Sequence, residues 1–404
     1  MRSGSARQAC PWARLVGAGR KRWRPAAAAR TGVRISASRR VDLWLRTHAI
    51  IARFSVRSVP LRRHWRVLAL GALVSGVVIV LIARQIDLAL LWESLRTANY
   101  AWVIPAALLA ALGLYTRAIR WRVLLGGGLG MSRTFHVMNI AYMLNAVLPM
   151  RLGEVARAWL ASRGEDGVPF FHTASTIVVE RLLDLLAVAV FLAIGLAVGP
   201  VPDALRTTGV ITTVLALGGF LFLVLMAAKR GWATALFEAV TSRLPVVKAS
   251  PLRPRLRTMF DHLLDGLQPI AQIGSLASAL LWTAISWGLS FLTGMALMLV
   301  IYPQADAVAT LLFIASASFA VALPAVPGNV GPYEGSILLA LSALGYTATP
   351  EGLAAGTAFA LIVHATNLGV NGGLGIIGML AEGVSLEQIT QRAEQEAPPP
   401  TEVA

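Results

Sequence analysis

Residues 308–344 read VATLLFIASASFAVALPAVPGNVGPYEGSILLALSAL, which is two apolar runs on either side of a break. The break concentrates residues that interrupt helices, namely Pro324, Pro327, Gly328, Gly331 and Pro332. The stretch therefore predicts helix, break and helix, not one simple span of roughly 20 apolar residues. Broken backbone at membrane depth is tolerated only where it is buried in protein or lines a cavity. We expect a re-entrant helical hairpin here.

A second interrupted stretch lies earlier, at residues 136–160. It starts apolar and then becomes polar and broken at Pro149, Arg151, Gly153, Glu154 and Arg157. The same argument predicts a second re-entrant hairpin. We expect the hairpin at 136–160 to enter from the cytoplasm and the one at 308–344 to enter from outside.

The composition places both hairpins in a membrane protein. The chain of 404 residues is 56% apolar and only 14% charged, against about 25% in a soluble domain. Its mean hydropathy is +0.67. We predict an all-α, polytopic integral membrane helix bundle with about six spans plus the two re-entrant hairpins. The predicted spans cover residues 67–83, 100–115, 182–201, 209–228, 277–301 and 353–380.

The net charge of +16 sits at one end of the chain. Residues 1–66 hold 17 Lys/Arg and one acid, Asp42, whereas the remaining 19 Lys/Arg are balanced by 19 Asp/Glu. The positive-inside rule then predicts cytoplasmic N- and C-termini and cytoplasmic connections at 117–133 and 229–272. We expect a multi-pass protein of the bacterial inner (plasma) membrane.

Three regions follow from these patterns. Residues 1–61 are a basic tail that we expect to be disordered, although the composition also fits a transit peptide or a mis-called start. Residues 62–380 are the transmembrane domain. Residues 381–404 are a polar tail that we also expect to be disordered.

The order of the segments suggests two inverted halves. Span, span, hairpin and span occur twice, the first time starting inside and the second time starting outside. Interrupted helices at matching places in inverted halves point to a transporter-type site. The recurring Leu-Pro of the two breaks could also be chance in so apolar a chain.

Candidate site residues cluster around the first break and the helix after it: Asn145, Arg151, Glu154, Arg157, Glu180, Arg181 and Asp184. Ionisable groups inside a membrane are costly and usually line a pathway or pair with one another. Arg151 and Arg157 could hold an anionic phosphate through paired N–H donors. The carboxylates could hold a cationic headgroup or tune the arginines. The alternative is that these groups are internal ion pairs that hold the hairpin in place.

The second break offers another set of candidates. Backbone amides freed near Gly328 and Gly331 could bind an anion at the start of the next helix. Tyr333 and Glu334 are further substrate-binding candidates there. Capping of that helix would equally explain Glu334, and an interfacial anchor would equally explain Tyr333.

Other chemistry finds little support. His136, His172 and His364 have no metal-ligand spacing, and one cysteine, Cys10, makes no thiolate cluster, so we predict no metal and no cofactor. No nucleotide-binding or serine-hydrolase motif occurs. We expect no catalytic residues and no nucleic-acid partner. Arg120-Trp121-Arg122 reads most simply as an interface anchor.

Several elements in order resemble the flippase-like transmembrane domain of bacterial lysylphosphatidylglycerol synthases. They are Arg120-Trp121-Arg122-Val123-Leu124-Leu125, Asn145 to Arg157, Ala174-Ser175, Glu180-Arg181-Leu182-Leu183-Asp184 and the later Pro327-Gly328, Gly331 and Tyr333-Glu334. The resemblance covers about residues 62–380. Arg-x-Gly-Glu and Glu-Arg-x-x-Asp are fairly specific together and weak alone.

The resemblance implies a domain that moves aminoacylated phospholipid between leaflets, while other relatives look tied to hopanoid or polyprenyl-linked glycan pathways. The chain is expected to lack the soluble aminoacyl transferase domain, so lipid aminoacylation is not expected. We predict a lipid flippase or transporter for an anionic or aminoacylated phospholipid or an isoprenoid-linked lipid. Two rivals stay open: a membrane enzyme with Glu154 or Asp184 as general base, and an accessory subunit of lipid-biosynthesis enzymes.

Overall fold

The computed structural model describes residues 84–147, 151–164, 167–198, 203–243, 253–322 and 327–386, with 73, 75–77, 80 and 388. Within these residues every regular element is helical, which confirms the all-α prediction. The tail at 1–61, most of the tail at 381–404 and most of the first predicted span lie outside the described residues. Pro149 and Pro324 lie outside them as well.

Twelve α-helices follow one another in the described parts of the chain. They are α1 (Leu88–Arg96), α2 (Val103–Leu124), α3 (Met131–Val147), α4 (Leu152–Ala161), α5 (Phe170–Val198), α6 (Asp203–Ala228), α7 (Arg230–Arg243), α8 (Arg253–Ala271), α9 (Ile273–Ile301), α10 (Ala307–Ala322), α11 (Pro332–Ala343) and α12 (Pro350–Glu382). Short 3₁₀ turns lie at Tyr100–Trp102 and Pro327–Asn329.

Three helical stretches of the described residues are long and apolar enough to cross a membrane: Tyr100–Leu124, Ile273–Ile301 and Pro350–Glu382. A fourth is added if Leu217–Ala228 and Arg230–Arg243, which are bent by 105° at a short break, form one span. The predicted spans at 100–115, 277–301 and 353–380 are thereby confirmed as long apolar helices. The full number of crossings stays a prediction.

The surface of α2 has the polarity expected of a helix in lipid. Ile104, Leu108 and Leu112 are 68%, 66% and 49% exposed and recur at i, i+4 and i+8, so they form one outward stripe. Further along the helix, Thr116 and Arg120 are buried. Apolar side chains outside and polar ones inside suit a bilayer as solvent, where ionisable groups face the bundle interior.

Both predicted interruptions are present as helix, break and helix. The first separates α3 from α4, and the second separates α10 from α11. Each break holds one residue other than glycine with left-handed backbone: Arg151 (φ 55°) and Asn329 (φ 52°), the two such residues in the described chain. This conformation is uncommon for residues with a Cβ and persists where the surroundings impose it.

Helices from the earlier and later parts of the chain pack against one another. α2 runs along α9, α3 lies against α12, and α5 lies against α10. Small residues allow these crossings: a Cβ on Gly375 of α12 would lie 2.3 Å from the Cβ of Met143. α11 packs on both α10 and α12, so the second hairpin joins the same bundle.

The connections between the long helices contain helices and hydrogen bonds of their own. Residues 229–272, predicted as a cytoplasmic connection, are mostly helical as α7 and α8, and Arg230 pairs with Asp265 at 2.6 Å. At the other end, the Tyr346 hydroxyl donates to Asp306 at 2.8 Å. Burial and this hydrogen bond raise the pKa of Tyr346 to about 12.

Candidate functional site

Seven charged side chains, from α2, from α4 with the residue before it, and from α5, form one continuous chain of alternating sign. In order of contact they are Arg151, Glu154, Arg181, Asp184, Arg120, Glu180 and Arg157. Four guanidinium groups meet three carboxylates, so the chain carries one positive charge in excess. Its two ends differ in exposure: the side chains of Arg157 and Glu180 are 1% and 0% exposed, whereas that of Arg151 is 27% exposed.

The buried end is a well-bonded ion pair. Arg157 donates from both terminal nitrogens to Glu180, at 3.2 and 2.7 Å, in the two-pronged geometry typical of strong arginine pairs. Its guanidinium lies 3.7 Å from the centre of the Trp121 ring, within cation–π range. The hydroxyl of Tyr142 also donates to Glu180, at 3.4 Å. With these partners, Arg157 fits the alternative of an internal ion pair better than that of a phosphate ligand.

Arg120 connects the buried end to the rest. It donates to Asp184 at 2.7 Å and to Thr283 of α9 at 3.2 Å, and it lies 3.5 Å from Glu180. Arg120 and Trp121 are both 0% exposed, and Trp121 donates to Thr176 of α5 at 3.1 Å. The prediction that Arg120-Trp121 anchors the helix at the interface is therefore wrong. Both side chains point into the bundle because their polar atoms find partners there.

The other end of the charge chain opens toward a cavity. Arg181 donates to Glu154 at 2.9 Å and lies 3.6 Å from Asp184. Arg151 lies 3.6 Å from Glu154 and donates to the carbonyl of Val321, at the end of α10, at 2.7 Å. Arg151 thus joins the first break to α10, the helix before the second break.

The cavity has a volume of about 450 Å³ and lies between the two breaks. Sites for small molecules usually measure roughly 300–1,000 Å³. Its charged lining consists of three arginines and one carboxylate: Arg117, Arg151, Arg181 and Asp184. Its other polar lining includes Tyr142, Asn145, Asn329, Tyr333, His364, Asn367 and Asn371. Apolar side chains such as Leu185, Trp287 and Phe313 complete the wall.

Arg117 is a site residue that the sequence analysis did not single out. It donates to Ser290 at 3.3 Å and its guanidinium lies 5.7 Å from the centre of the Trp287 ring. Within the described residues no carboxylate comes within ion-pair distance of it. Its position at the end of an apolar helix looked like an ordinary positive flank, and only the packing of α2 on α9 turns it inward.

The second break is closed by Glu334. This carboxylate accepts from the backbone N–H of Gly331 at 2.7 Å, which confirms the capping interpretation. Its other oxygen lies 2.5 Å from Nδ1 of His364 on α12. Both side chains are largely buried. A buried carboxylate needs such partners because an unpaired charge in low dielectric is costly.

Tyr333 packs beside this pair. Its ring centre lies 4.6 Å from that of His364, and its hydroxyl accepts from Asn367 at 3.0 Å. Tyr333 is only 9% exposed, so the interfacial-anchor alternative is wrong. His364 and Asn367 are two more site residues that the sequence analysis missed. It considered His364 only as a possible metal ligand and did not single out Asn367.

The predicted site residues therefore divide into two groups. Those that line the cavity are Asn145, Arg151, Arg181, Asp184, Gly328 and Tyr333. Those outside its lining are Glu154, Arg157, Glu180 and Glu334, which bond to neighbouring side chains or backbone. The remaining break residues shape the backbone, with Pro327 in the 3₁₀ turn and Gly331 at φ 94°.

Gly153 permits the close approach of α4 to α3. A Cβ at this position would lie 2.2 Å from the carbonyl oxygen of Ala141 and 2.5 Å from Oδ1 of Asn145. No side chain fits there without displacing backbone. In the part of the chain that the structure describes, no group of three or more His, Cys, Asp or Glu is arranged to hold a metal ion.

These features define a class: a multi-pass helical membrane protein with two broken helices that meet at a cationic cavity. The particular family follows from comparison with known proteins. The family described as lysylphosphatidylglycerol synthase TM region matches residues 68–375, and the chain belongs to it. The predicted resemblance is confirmed. Comparison with curated proteins and with solved structures found no match to this chain.

Proposed function

We propose that the protein is a lipid transporter that passes the phosphate-bearing headgroup of a phospholipid or isoprenoid-linked lipid between leaflets through the cavity. The observation that carries this proposal is the lining of that cavity, where Arg117, Arg151 and Arg181 face a single carboxylate. Guanidinium groups in a low-dielectric cavity bind phosphate strongly. The family supports a membrane role connected with lipid.

Arg117 is the leading phosphate ligand in this proposal, because its charge is not balanced by an ion pair within the described residues. Arg151 and Arg181 share Glu154, so their charge is partly compensated. The phosphate role predicted for Arg157 passes to Arg117, since Arg157 lies outside the cavity lining and is bonded to Glu180. Asn145 and Tyr333 supply neutral hydrogen bonds in the same space.

We infer that the two halves are inverted repeats that rock or gate around this cavity. The first helix of each hairpin packs on the last helix of the other half: α3 lies on α12, and α10 lies on α5. The corresponding helices α2 and α9 pack on each other. Glu154 and Glu334 are both the third residue of the helix after a break. Such halves with broken helices commonly place a substrate site at their interface.

Transport fits the carboxylates better than chemistry does. A general base must be free to accept a proton, whereas Asp184 accepts from Arg120 at 2.7 Å and from the Trp287 ring N–H at 3.1 Å. Glu154 is likewise bonded to Arg181. The lipid is then the partner, lipid-biosynthesis enzymes are candidate neighbours, and the driving force is an ion gradient or the gradient of the lipid itself.

We place both termini on the cytoplasmic side of a bacterial plasma membrane. Single-cysteine variants in a Cys10→Ser background test this orientation with an impermeant thiol reagent on intact cells. Gln304→Cys, next to the predicted outer end of α9, should be labelled, whereas Ser242→Cys at the end of α7 should be protected. Both positions are exposed. The reverse labelling pattern would overturn the orientation and leave the fold unaffected.

The transport proposal itself is tested in proteoliposomes with a fluorescent phosphatidylglycerol and an impermeant quencher. Arg117→Gln should slow lipid movement by about tenfold or more, since hydrogen bonds to charged groups contribute roughly 1.5–3 kcal/mol. The matched control is Arg243→Gln, an exposed residue at the end of α7 that carries the same charge change. Equal rates in Arg117→Gln, Arg243→Gln and the unaltered protein would refute the assignment.

A further inference from the structure

We propose that the headgroup which the cavity selects is a phosphorylated polyol or sugar, rich in hydroxyl groups and without an amino group. This inference rests on the proposed function and narrows its substrate class. It comes from two independent features of the lining: the sign of its charges, and the number of side-chain amides that have no partner among the described residues.

The charges disfavour a cationic headgroup. Three arginines line the cavity against one carboxylate, Asp184. Asp184 is already bonded to Arg120 and to the Trp287 ring N–H. An ammonium group entering the cavity would meet an excess of positive charge and a carboxylate that is already occupied. Like charges brought together in this way reject a ligand. An aminoacylated headgroup therefore fits the lining poorly.

The amides favour hydroxyl groups. Four asparagines line the cavity: Asn145, Asn329, Asn367 and Asn371. They come from three parts of the fold, namely α3, the turn after α10, and α12. A side-chain amide offers two N–H donors and one carbonyl acceptor, and a hydroxyl both donates and accepts. A set of amides therefore matches a polyol, where each hydroxyl can satisfy a donor and an acceptor at once.

Much of this amide capacity is unused. Within the described residues, the side chains of Asn329 and Asn371 make no hydrogen bond, and both are half-buried in the cavity lining. Their N–H and carbonyl groups are available to a ligand or to water there. Oδ1 of Asn145 is instead enclosed against Gly153 of α4, so this oxygen does not contribute to the argument. Asn371 lies one turn beyond Asn367, so both present their side chains on the same face of α12.

Tyr333 adds an oriented donor to this set. Its hydroxyl accepts from Asn367 at 3.0 Å, which leaves the phenolic proton free to donate into the cavity. In this arrangement the arginines bind the phosphate, and the amides and the Tyr333 phenol bind the hydroxyl groups. A phosphodiester without hydroxyl groups would use only the arginines and leave the amides and the phenol to water.

Binding measurements on the purified, detergent-solubilised full chain test the inference with three lipids of matched acyl chains. Phosphatidylinositol carries five free ring hydroxyls and one negative charge, phosphatidylethanol carries the same charge and no hydroxyl, and lysylphosphatidylglycerol is cationic. We expect phosphatidylinositol to bind about tenfold more tightly than phosphatidylethanol, the equivalent of one or two neutral hydrogen bonds. Lysylphosphatidylglycerol should bind most weakly.

Variants separate the amides from the arginines. Asn371→Leu should lower the affinity for phosphatidylinositol toward that for phosphatidylethanol, and should leave phosphatidylethanol binding unchanged. Asn99→Leu is the matched control, because Asn99 is exposed and lies outside the cavity. A structural effect of the substitution would weaken both lipids equally and would count against the amide assignment.

Each result has a distinct meaning. The polyol inference is overturned if phosphatidylinositol and phosphatidylethanol bind with equal affinity, or if lysylphosphatidylglycerol binds most tightly. In either case the transport proposal still stands if lipid affinity falls in Arg117→Gln. If no lipid binds more tightly to the unaltered protein than to Arg117→Gln, the proposed phosphate site fails, and the polyol inference fails with it.

Discussion

The Glu154 carboxylate lies 2.8 Å from the Arg181 guanidinium, so the third residue of α4 is tied to the helix that follows it. Glu334 shows a similar relationship after the second break, because it is the third residue of α11 and lies 2.5 Å from His364 of α12. Each broken helix is thus closed by a carboxylate near its N-terminus, where the helix dipole favours negative charge. The following helix supplies the basic partner in both cases.

The buried end of the charge chain should dominate stability. Glu180→Gln removes the charge that balances Arg157 and Arg120, both of which are fully buried. Breaking a buried pair on one side costs about 3–5 kcal/mol, because the remaining charge stays in low dielectric. We expect a large fall in the melting temperature of the detergent-solubilised protein. Glu154→Gln is the control, since its side chain is 23% exposed and its loss should cost less. Equal melting temperatures for Glu180→Gln and the unaltered protein would contradict this view.

The α3–α4 hairpin should not tolerate a side chain at Gly153. Gly153→Ala would place a Cβ 2.2 Å from the carbonyl of Ala141, so α4 must move or the protein must unfold. We expect reduced yield of monodisperse protein in size-exclusion chromatography.

Gly288→Ala provides the matched comparison in α9, where a Cβ meets nothing within 4 Å. Alanine favours helix over glycine by about 0.5–1 kcal/mol, so this variant should be as stable as the unaltered protein or slightly more stable. A Gly153→Ala variant that behaves like Gly288→Ala would show that the close approach of α3 and α4 is not required.

Glu334 and His364 should be energetically coupled. In a double-mutant cycle of Glu334→Gln and His364→Gln, we expect a coupling energy of about 1–3 kcal/mol in chemical unfolding, as for other bonded buried groups. The Glu334→Gln variant alone also weakens the cap on Gly331. Additive effects would mean that the 2.5 Å contact contributes nothing to the folded state.

Arg151 should depend on its backbone conformation as well as its charge. Its φ of 55° is unfavourable for a residue with a Cβ, and a glycine there would relieve the strain while removing the guanidinium. We expect Arg151→Gly to keep the fold and to lose lipid movement in proteoliposomes, whereas Arg151→Val should lose both. A fully active Arg151→Gly would remove Arg151 from the proposed phosphate site.

Much of the architecture was accessible from the sequence. Long apolar runs predicted helices in a membrane, and Pro/Gly clusters predicted the breaks within 136–160 and 308–344, because both depend on local chemistry that a single segment carries. The same reasoning was wrong for Arg120 and Trp121, since a positive flank and a buried partner look alike when only one helix is considered.

By itself, the sequence determined that the protein is a membrane helix bundle with two interrupted helices and an uneven charge distribution. Hydropathy and backbone chemistry act over a few residues, so they can be recognised in one dimension. Only the tertiary structure decided which charged side chains are paired within the protein and which are available to a ligand. Arg157 is neutralised by Glu180 of another helix, whereas Arg117 faces the cavity beside Ser290 of α9. Such pairings join residues far apart in the chain, and they depend on how helices pack.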